Sequence, residues 1–317
     1  MRTLILAASL LLPVYLPAAD KDFNGRWDIT VTQNARKRAW WLEVKDAGTS
    51  GISGMFVGAP GGQLDKIPEI ALKGGELQFK FPQRRFYKDP SDPKRVQNGL
   101  YTARLVNGKL EGKFQVDGKD PISWSGVRAP RFKAENEAAL KPQKPIELFN
   151  GKDLSGWRPL LDDKEIGWTV ENGVLKNAAG TTDIVTQQKF WNFKLHAEYR
   201  VGPKSNSGIG LRGRYEVQIF EDIGQPASLH GNGALYSRIQ PTENASKPAN
   251  EWQAFDITLV GNVVTVVLNG KTIIDHKEIE GLTAIAVDPN ESEPGPFIIQ
   301  GDHGAVEFRK LTLTPLK

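Results

Sequence analysis

The stretch NSGIGLRGRYEVQIFED, residues 206–222, decides how this chain is read. It holds two closely joined strands, and from Tyr215 onward it alternates with period two, the rhythm of a β-strand with two unlike faces. Val217 and Ile219 belong on a core face. Glu216, Gln218, Phe220 and Asp222 share the other face, and a bulge after Gln218 would bring Glu221 there in place of Asp222. By parity, Arg212 and Arg214 fall on the same side as Glu216. A carboxylate, an amide and two guanidinium groups in a row suit a polar hollow that grips sugar hydroxyls or a carbonyl oxygen.

The same rhythm extends outward from this segment. GWTVENGVLKN turns at Asn172-Gly173, FWNFKLHAEYRV is one long alternating strand, and EWQAFDITLVGNVVTVVLNGKTIIDH gives three strands with turns at Gly261-Asn262 and Asn269-Gly270. Helical periodicity is nearly absent from residue 147 to the end, which predicts two curved antiparallel sheets. Residues 20–131 read as a separate small all-β barrel or sandwich, with strands in GRWDITVTQ, AWWLEVKD, KGGELQFKFP and GKDPISWSGVRAP. A hairpin at Asn107-Gly108 completes it. Trp27, Trp40, Trp41 and Trp124 read as packing residues. RRFYKDPSDPKRVQN reads as a long polar loop. Residues 132–146 read as a linker, in which KAENEAALK predicts about two helical turns stopped by Pro142.

The 317 residues accommodate two domains. Residues 1–19 have Arg2 at the start, an apolar run from Leu4 to Leu16, and Ala18-Ala19 before Asp20, the pattern of a secretory signal peptide. That run is shorter than the roughly 20 residues a membrane span needs. The expected location is periplasmic or secreted. Cysteine is absent, so disulfides and thiol nucleophiles are excluded. Residues 20–131 carry 20 Lys and Arg against 13 Asp and Glu, whereas residues 132–317 carry 20 against 24. The tight basic cluster is ARKRAWW, residues 35–41, read as a solvated face, and nucleic acid is not an expected partner.

The motifs ELFNGKDLSGW (147–157), GWTVENGVL (167–175), FWNFKLHAEYR (190–200), NSGIGLRGRYEVQI (206–219), GALYS (233–237), NEWQAFDITLVGNVVTVVLNG (250–270) and GPFIIQGDHGAVEFRKLTL (295–313) run in order. Together they resemble the bacterial 3-keto-disaccharide hydrolase domain family. The resemblance covers residues 147–317 and implies a concanavalin-like jelly roll related to laminarinase-type glucanases. It also implies action on glycosides whose sugar carries a ketone at carbon 3. Laminarinase-like enzymes place Glu-x-Asp-x-x-Glu on the equivalent strand. Here Glu216, Gln218 and Glu221 stand at that spacing, with an amide where the middle acid belongs. That change removes the charge that tunes a retaining pair.

A 3-keto sugar suits other chemistry. Its ketone acidifies the hydrogen on carbon 2, so one base can start a β-elimination that expels the group on carbon 1. Candidates for acid or base work are Glu216, His303 and Glu221. Arg212, Arg214, Gln218, His230, Tyr236, Trp252 and Gln300 are the candidates for binding substrate, with Arg212, Arg214 or Tyr236 facing the enolate oxygen. His196 and His276 read as structural. No His or Cys spacing of a catalytic metal site occurs and the sequence requires no cofactor, which leaves a catalytic metal undecided. Related jelly rolls often hold a structural calcium, for which Asn150, Asp153 and Asp183 are candidates, although turn capping explains the first two equally well. The absence of a nicotinamide fingerprint implies that a sugar 3-oxidoreductase partner makes the ketone. The rival readings are a non-catalytic, lectin-like carbohydrate-binding protein and a conventional β-glucanase.

Overall fold

The structure, a computed structural model, describes residues 19–32, 37–58, 62–82, 88–89, 92–96, 98–116, 118–162 and 165–317, with backbone alone between 82 and 98. All but Ala19 of the signal-peptide stretch lies outside these residues. No helix among the described residues is long and apolar enough to cross a membrane. The fold is all-β.

The first sheet has nine strands in the order Asp65–Lys66, Ser53–Val57, Trp40–Lys45, Gly25–Val31, Ile122–Arg128, Lys109–Val116, Asn98–Val106, Glu76–Pro82 and Glu69–Lys73. Its two end strands are consecutive in the chain, joined through Ile67 and Pro68, so the sheet curls into a barrel. Alternation sends Trp27, Ile29, Trp40, Leu42, Phe56, Phe79, Tyr101 and Phe114 into one interior. Trp40 meets Phe56, Tyr101 and Phe114 edge-on at 5.7–5.9 Å between ring centroids, the geometry that ring quadrupoles favour. Within the segment read as a polar loop, Lys88–Asp89 and Asp92–Val96 pair as a short antiparallel ribbon.

The linker makes one 3-10 turn, Glu137–Ala139, instead of two helical turns. Two turns would leave helix nucleation uncompensated, and the segment gains more by lying on the sandwich. Glu135 accepts from Trp191 Nε1 and Asn192 Nδ2, and Lys141 exchanges backbone bonds with Lys317.

Beyond it, two sheets pack face to face. One runs Trp168–Glu171, Val174–Asn177, Val306–Pro315, Phe193–Val201, Gln253–Val260, Val263–Leu268 and Lys271–Glu278, with Ile146–Glu147 also on Val306–Pro315. The other runs Trp157–Pro159, Ile184–Thr186, Ile298–Ile299, Asn206–Leu211 and Tyr215–Phe220. Leu195, Ala197 and Tyr199 face Tyr215, Val217 and Ile219 across one continuous core.

Barrel and sandwich meet along a seam, and the Trp40-Trp41 pair explains it. Successive strand residues point to opposite faces, so Trp40 fills the barrel while Trp41 enters the core of the sandwich. Asp28, Trp41 and Val57 are cross-strand neighbours on this outer face. Trp41 is 2% exposed, lies under the Arg238 guanidinium at 4.2 Å, and packs on Gly281. A β-carbon at Gly281 would stand 2.2 Å from the indole nitrogen, and its φ of +143° already disfavours a side chain. Nearby, the buried carboxyls of Asp28 and Glu291 share a hydrogen bond, and the Tyr215 hydroxyl donates to Glu291 at 2.8 Å. Burial and the charge of Glu291 push Asp28 up to about 9, against the opposing pull of Arg214 and Arg238.

The seam also answers the charge asymmetry between the halves. Arg26 pairs with Glu280 at 3.0 Å, Lys37 with Asp162 at 2.6 Å and Arg38 with Asp183 at 2.5 Å. In each pair the cation comes from the barrel and the acid from the sandwich.

Candidate active site

The strand Tyr215–Phe220 buries Tyr215, Val217 and Ile219 in the core and turns Glu216 and Gln218 to the other side. Its neighbour Asn206–Leu211 places Gly208 opposite Gln218 and Gly210 opposite Glu216. Gly208 forms the floor, while Gly210 is covered by Ile285 and Ile298. A β-carbon on Gly208 would lie 2.5 Å from Glu216 Oε1, so the carboxyl lies directly over bare backbone. Residues 233–236 add a partial strand on the far edge: Gly233 N–H donates to Gln218, Gln218 N–H to Ala234 and Tyr236 N–H to Glu216. Because Leu235 pairs with Val217 and faces the core, Tyr236 falls on the Glu216 side. From the other edge, Ile184–Thr186 and Ile298–Ile299 bring Asp183 and Gln300 to the same face, with Gln300 N–H donating to Gly208 at 3.0 Å.

Glu216 is the chemically unusual group. It is 3% exposed, with its Oε1 lying over the backbone of Gly208. Burial pushes it up to about 8. Arg38 and His303 pull the other way, and Asp183 and Asp302 add to the rise. A buried carboxyl pushed up toward neutrality marks a functional candidate. Two acceptors stand beside it: the side-chain oxygens of Gln218 and Gln300 are buried and accept no hydrogen bond from the described residues. Gln218 donates to Asn206 Oδ1 at 3.1 Å, which fixes its amide. His303 is one-third exposed, with Nδ1 2.5 Å from Asp302 Oδ1. His230 is exposed, and its ring lies 4.9 Å from that of Tyr236.

Glu216, Gln218, Gln300, Tyr236 and His303 therefore gather on one side of one sheet, with His230 beside Tyr236. The two arginines do not join them. Strand alternation breaks at the turn, where Arg212 has φ +51°. Its guanidinium stacks on Trp191 at 3.8 Å and donates to Trp191 O and Asn192 Oδ1. Arg214 is buried and clamps the distant loop of residues 288–293 through Asp288 and the Glu293 carbonyl. Glu221 takes the Lys204 N–H, and no bulge turns it toward Glu216. Asp222 accepts from Asn232 N–H and Ser246 Oγ, holding a turn. Trp252 lies just before the Gln253–Val260 strand of the other sheet, with the guanidinium groups of Arg200 and Arg309 at 4.9 and 4.6 Å from its ring. His196 is held there by Asp256 and Glu198, while His276 is exposed beside Asp275.

The candidate calcium ligands do not converge. Asn150 and Asp153 bond to each other and to the backbone of their own turn, and these hydrogen bonds with Ser155 and Asn150 hold Asp153 down at about 2. Asp183 is committed to Arg38 and to the Gly301 N–H. Among the described residues no group of three or more His, Cys, Asp and Glu is placed to hold a metal ion.

Two contributors escaped the sequence reading. The sequence pattern points to Asp183 only as a cation ligand, and to Arg38 only as part of a solvated cluster. A sharper signal existed: ARKRAWW sets its cations directly before a tryptophan pair that alternation must send to opposite faces.

Residues 144–314, just over half of the chain, match the family described as the 3-keto-alpha-glucoside-1,2-lyase-like domain. The chain belongs to this family. The 3-keto-disaccharide hydrolase of Bacteroides thetaiotaomicron is 25% identical over 167 residues, covering 41% of this chain and 58% of that protein. The chain thus spans under two thirds of that relative's length. Two solved structures of proposed glycosyl hydrolases from Parabacteroides distasonis are also similar. One is 28% identical with a TM-score of 0.47, covering 58% of this chain and 93% of the other. The second is 22% identical with a TM-score of 0.46, covering 59% and 100%.

Proposed function

We propose that this protein is a carbohydrate-active enzyme that cleaves 3-keto-glycosides by β-elimination, with Glu216 as the base. The observation that carries this reading is the Glu216 carboxyl itself, buried over the bare backbone of Gly208 and raised to about 8, in a chain of this family. A carboxylate in that environment has the basicity to take a proton activated by a neighbouring ketone. Glu216 removes the proton on carbon 2, and the electron pair forms an enolate across carbons 2 and 3. The Tyr236 hydroxyl donates to the enolate oxygen, a task left to it once both arginines are engaged elsewhere. The ketone then re-forms, a double bond appears between carbons 1 and 2, and the bond from carbon 1 to the aglycone oxygen breaks. His303 supplies the proton for the departing alcohol. Gln218 and Gln300 offer two buried acceptors to sugar hydroxyls. Water added across the new double bond would complete a net hydrolysis. A retaining glucanase mechanism lacks support, because Glu221 is bound to the Lys204 backbone.

The test is turnover of a 3-keto-glucoside beside its unoxidised parent in deuterated water. The expected result is aglycone release from the keto sugar alone. The sugar product should have lost its original carbon-2 hydrogen, either as the 1,2-ene or by replacement with deuterium. Equal release from both substrates, or a product that keeps protium at carbon 2, overturns the mechanism.

A further inference from the structure

We propose that Arg38, carried by the N-terminal barrel, is a positioning residue of the Glu216 site, so that the barrel is a working half of that site although the family match does not include it. The inference deepens the reading of Glu216 as a base and rests on it. The Arg38 side chain is 17% exposed and leaves the barrel immediately before the Trp40–Lys45 strand. One guanidinium nitrogen donates to the Ile285 carbonyl at 2.8 Å and the other to Asp183 Oδ2 at 2.5 Å. A neighbouring backbone bond, Ala39 N–H to the Ala286 carbonyl at 2.7 Å, fixes the approach. The remaining Asp183 oxygen accepts the Gly301 N–H at 2.9 Å. Gly301 stands between Gln300 and the Asp302-His303 pair, so one chain of contacts runs from the barrel through Asp183 to the loop that bears three site residues. A planar fork that meets a carbonyl and a carboxylate together is geometry that arginine fits and lysine does not reproduce.

Among the described residues, the charged groups acting most strongly on Glu216 are Arg38 from the barrel, Asp183 from the segment entering Ile184–Thr186, and Asp302 and His303 from the loop after Ile298–Ile299. Among the two cations, Arg38 acts more strongly. It lies with Asp183 as an ion pair whose two members push Glu216 in opposite directions. Removing the cation must therefore make Glu216 a weaker acid, and neutralising Asp183 must make it a stronger one.

The experiment uses the full-length protein with carbon-13 in its glutamate carboxyls. The Glu216 resonance is assigned by its loss in Glu216→Gln. Titrations are run on the wild type, Arg38→Met, Arg38→Lys and Asp183→Asn, with kcat/KM for a 3-keto-glucoside measured across the same pH range. For Arg38→Met the Glu216 titration moves upward and kcat/KM at pH 7 falls on the order of tenfold, the size expected when a nearby opposite charge is lost. Most of that loss returns at pH 9 to 10. Arg38→Lys recovers part of the shift, and Asp183→Asn moves the titration down. An unmoved titration in Arg38→Met, or a loss of activity equal at every pH, overturns the proposal. So does a shift of the same sign in both Arg38→Met and Asp183→Asn. If the wild type turns over no 3-keto-glycoside while the titrations shift in opposite directions, the proposed reaction fails and the positioning role of Arg38 stands.

Discussion

Replacing Glu216 by Gln should make this protein more stable in mild alkali and leave it nearly unchanged in acid. In the folded state burial raises Glu216 to about 8 from an ordinary value of 4.5. The folded form therefore holds its proton more tightly than the unfolded form, and folding stability declines as pH rises between those two values. Below pH 4.5 both forms are protonated and Glu216 causes no loss. Each pH unit in the window removes about 1.4 kcal/mol, so by pH 8 to 9 the ionised, buried carboxyl destabilises the fold by about 5 kcal/mol. The substituted amide keeps the shape and lacks the charge. Thermal unfolding of the two proteins, followed by calorimetry from pH 4.5 to 9, should give curves that meet at the acid end. By pH 9 they should separate by on the order of 10 °C, given the entropy of unfolding of a unit of this size. Other titrating groups, Asp28 and Glu291 among them, are common to both proteins and cancel in the difference. Parallel curves would mean that Glu216 is ionised throughout or wetter than its surroundings indicate, and the case for a tuned base would collapse.

Trp41→Ala should cost about 3–5 kcal/mol, the range for deleting a large buried aromatic, because Trp41 is 2% exposed between barrel and sandwich. Calorimetry should show a transition that splits or broadens, with the seam more open to limited proteolysis. Gly208→Ala should abolish turnover in a folded protein, since the added methyl would stand 2.5 Å from Glu216 Oε1 and displace the carboxyl. Activity paired with near-ultraviolet circular dichroism checks it, and full activity would contradict the placement of Glu216 over that glycine.

Much of the fold was legible because alternation and paired turn residues are local signals. The hairpins at Asn107-Gly108, Asn172-Gly173 and Asn269-Gly270 formed where the sequence placed them, with Asn φ values near +50°. The same rule located Glu216 and Gln218 on one face. It failed at Arg212 and Arg214, because a turn resets parity and a buried guanidinium goes wherever carbonyls converge. Arg38 was illegible for a different reason. Its partner Asp183 lies 145 positions away, and no periodic pattern in one segment reports which distant acid will meet it.

The acid pair at the seam gives hydrogen itself a structural role. Asp28 and Glu291 are both nearly dry, 2% and 3% exposed, and lie in one hydrogen-bonded contact. With Asp28 raised to about 9, it keeps its proton near neutrality and donates it across the contact to Glu291. That proton fastens the two modules much as a bound ion would, and bulk alkalinity is what can withdraw it.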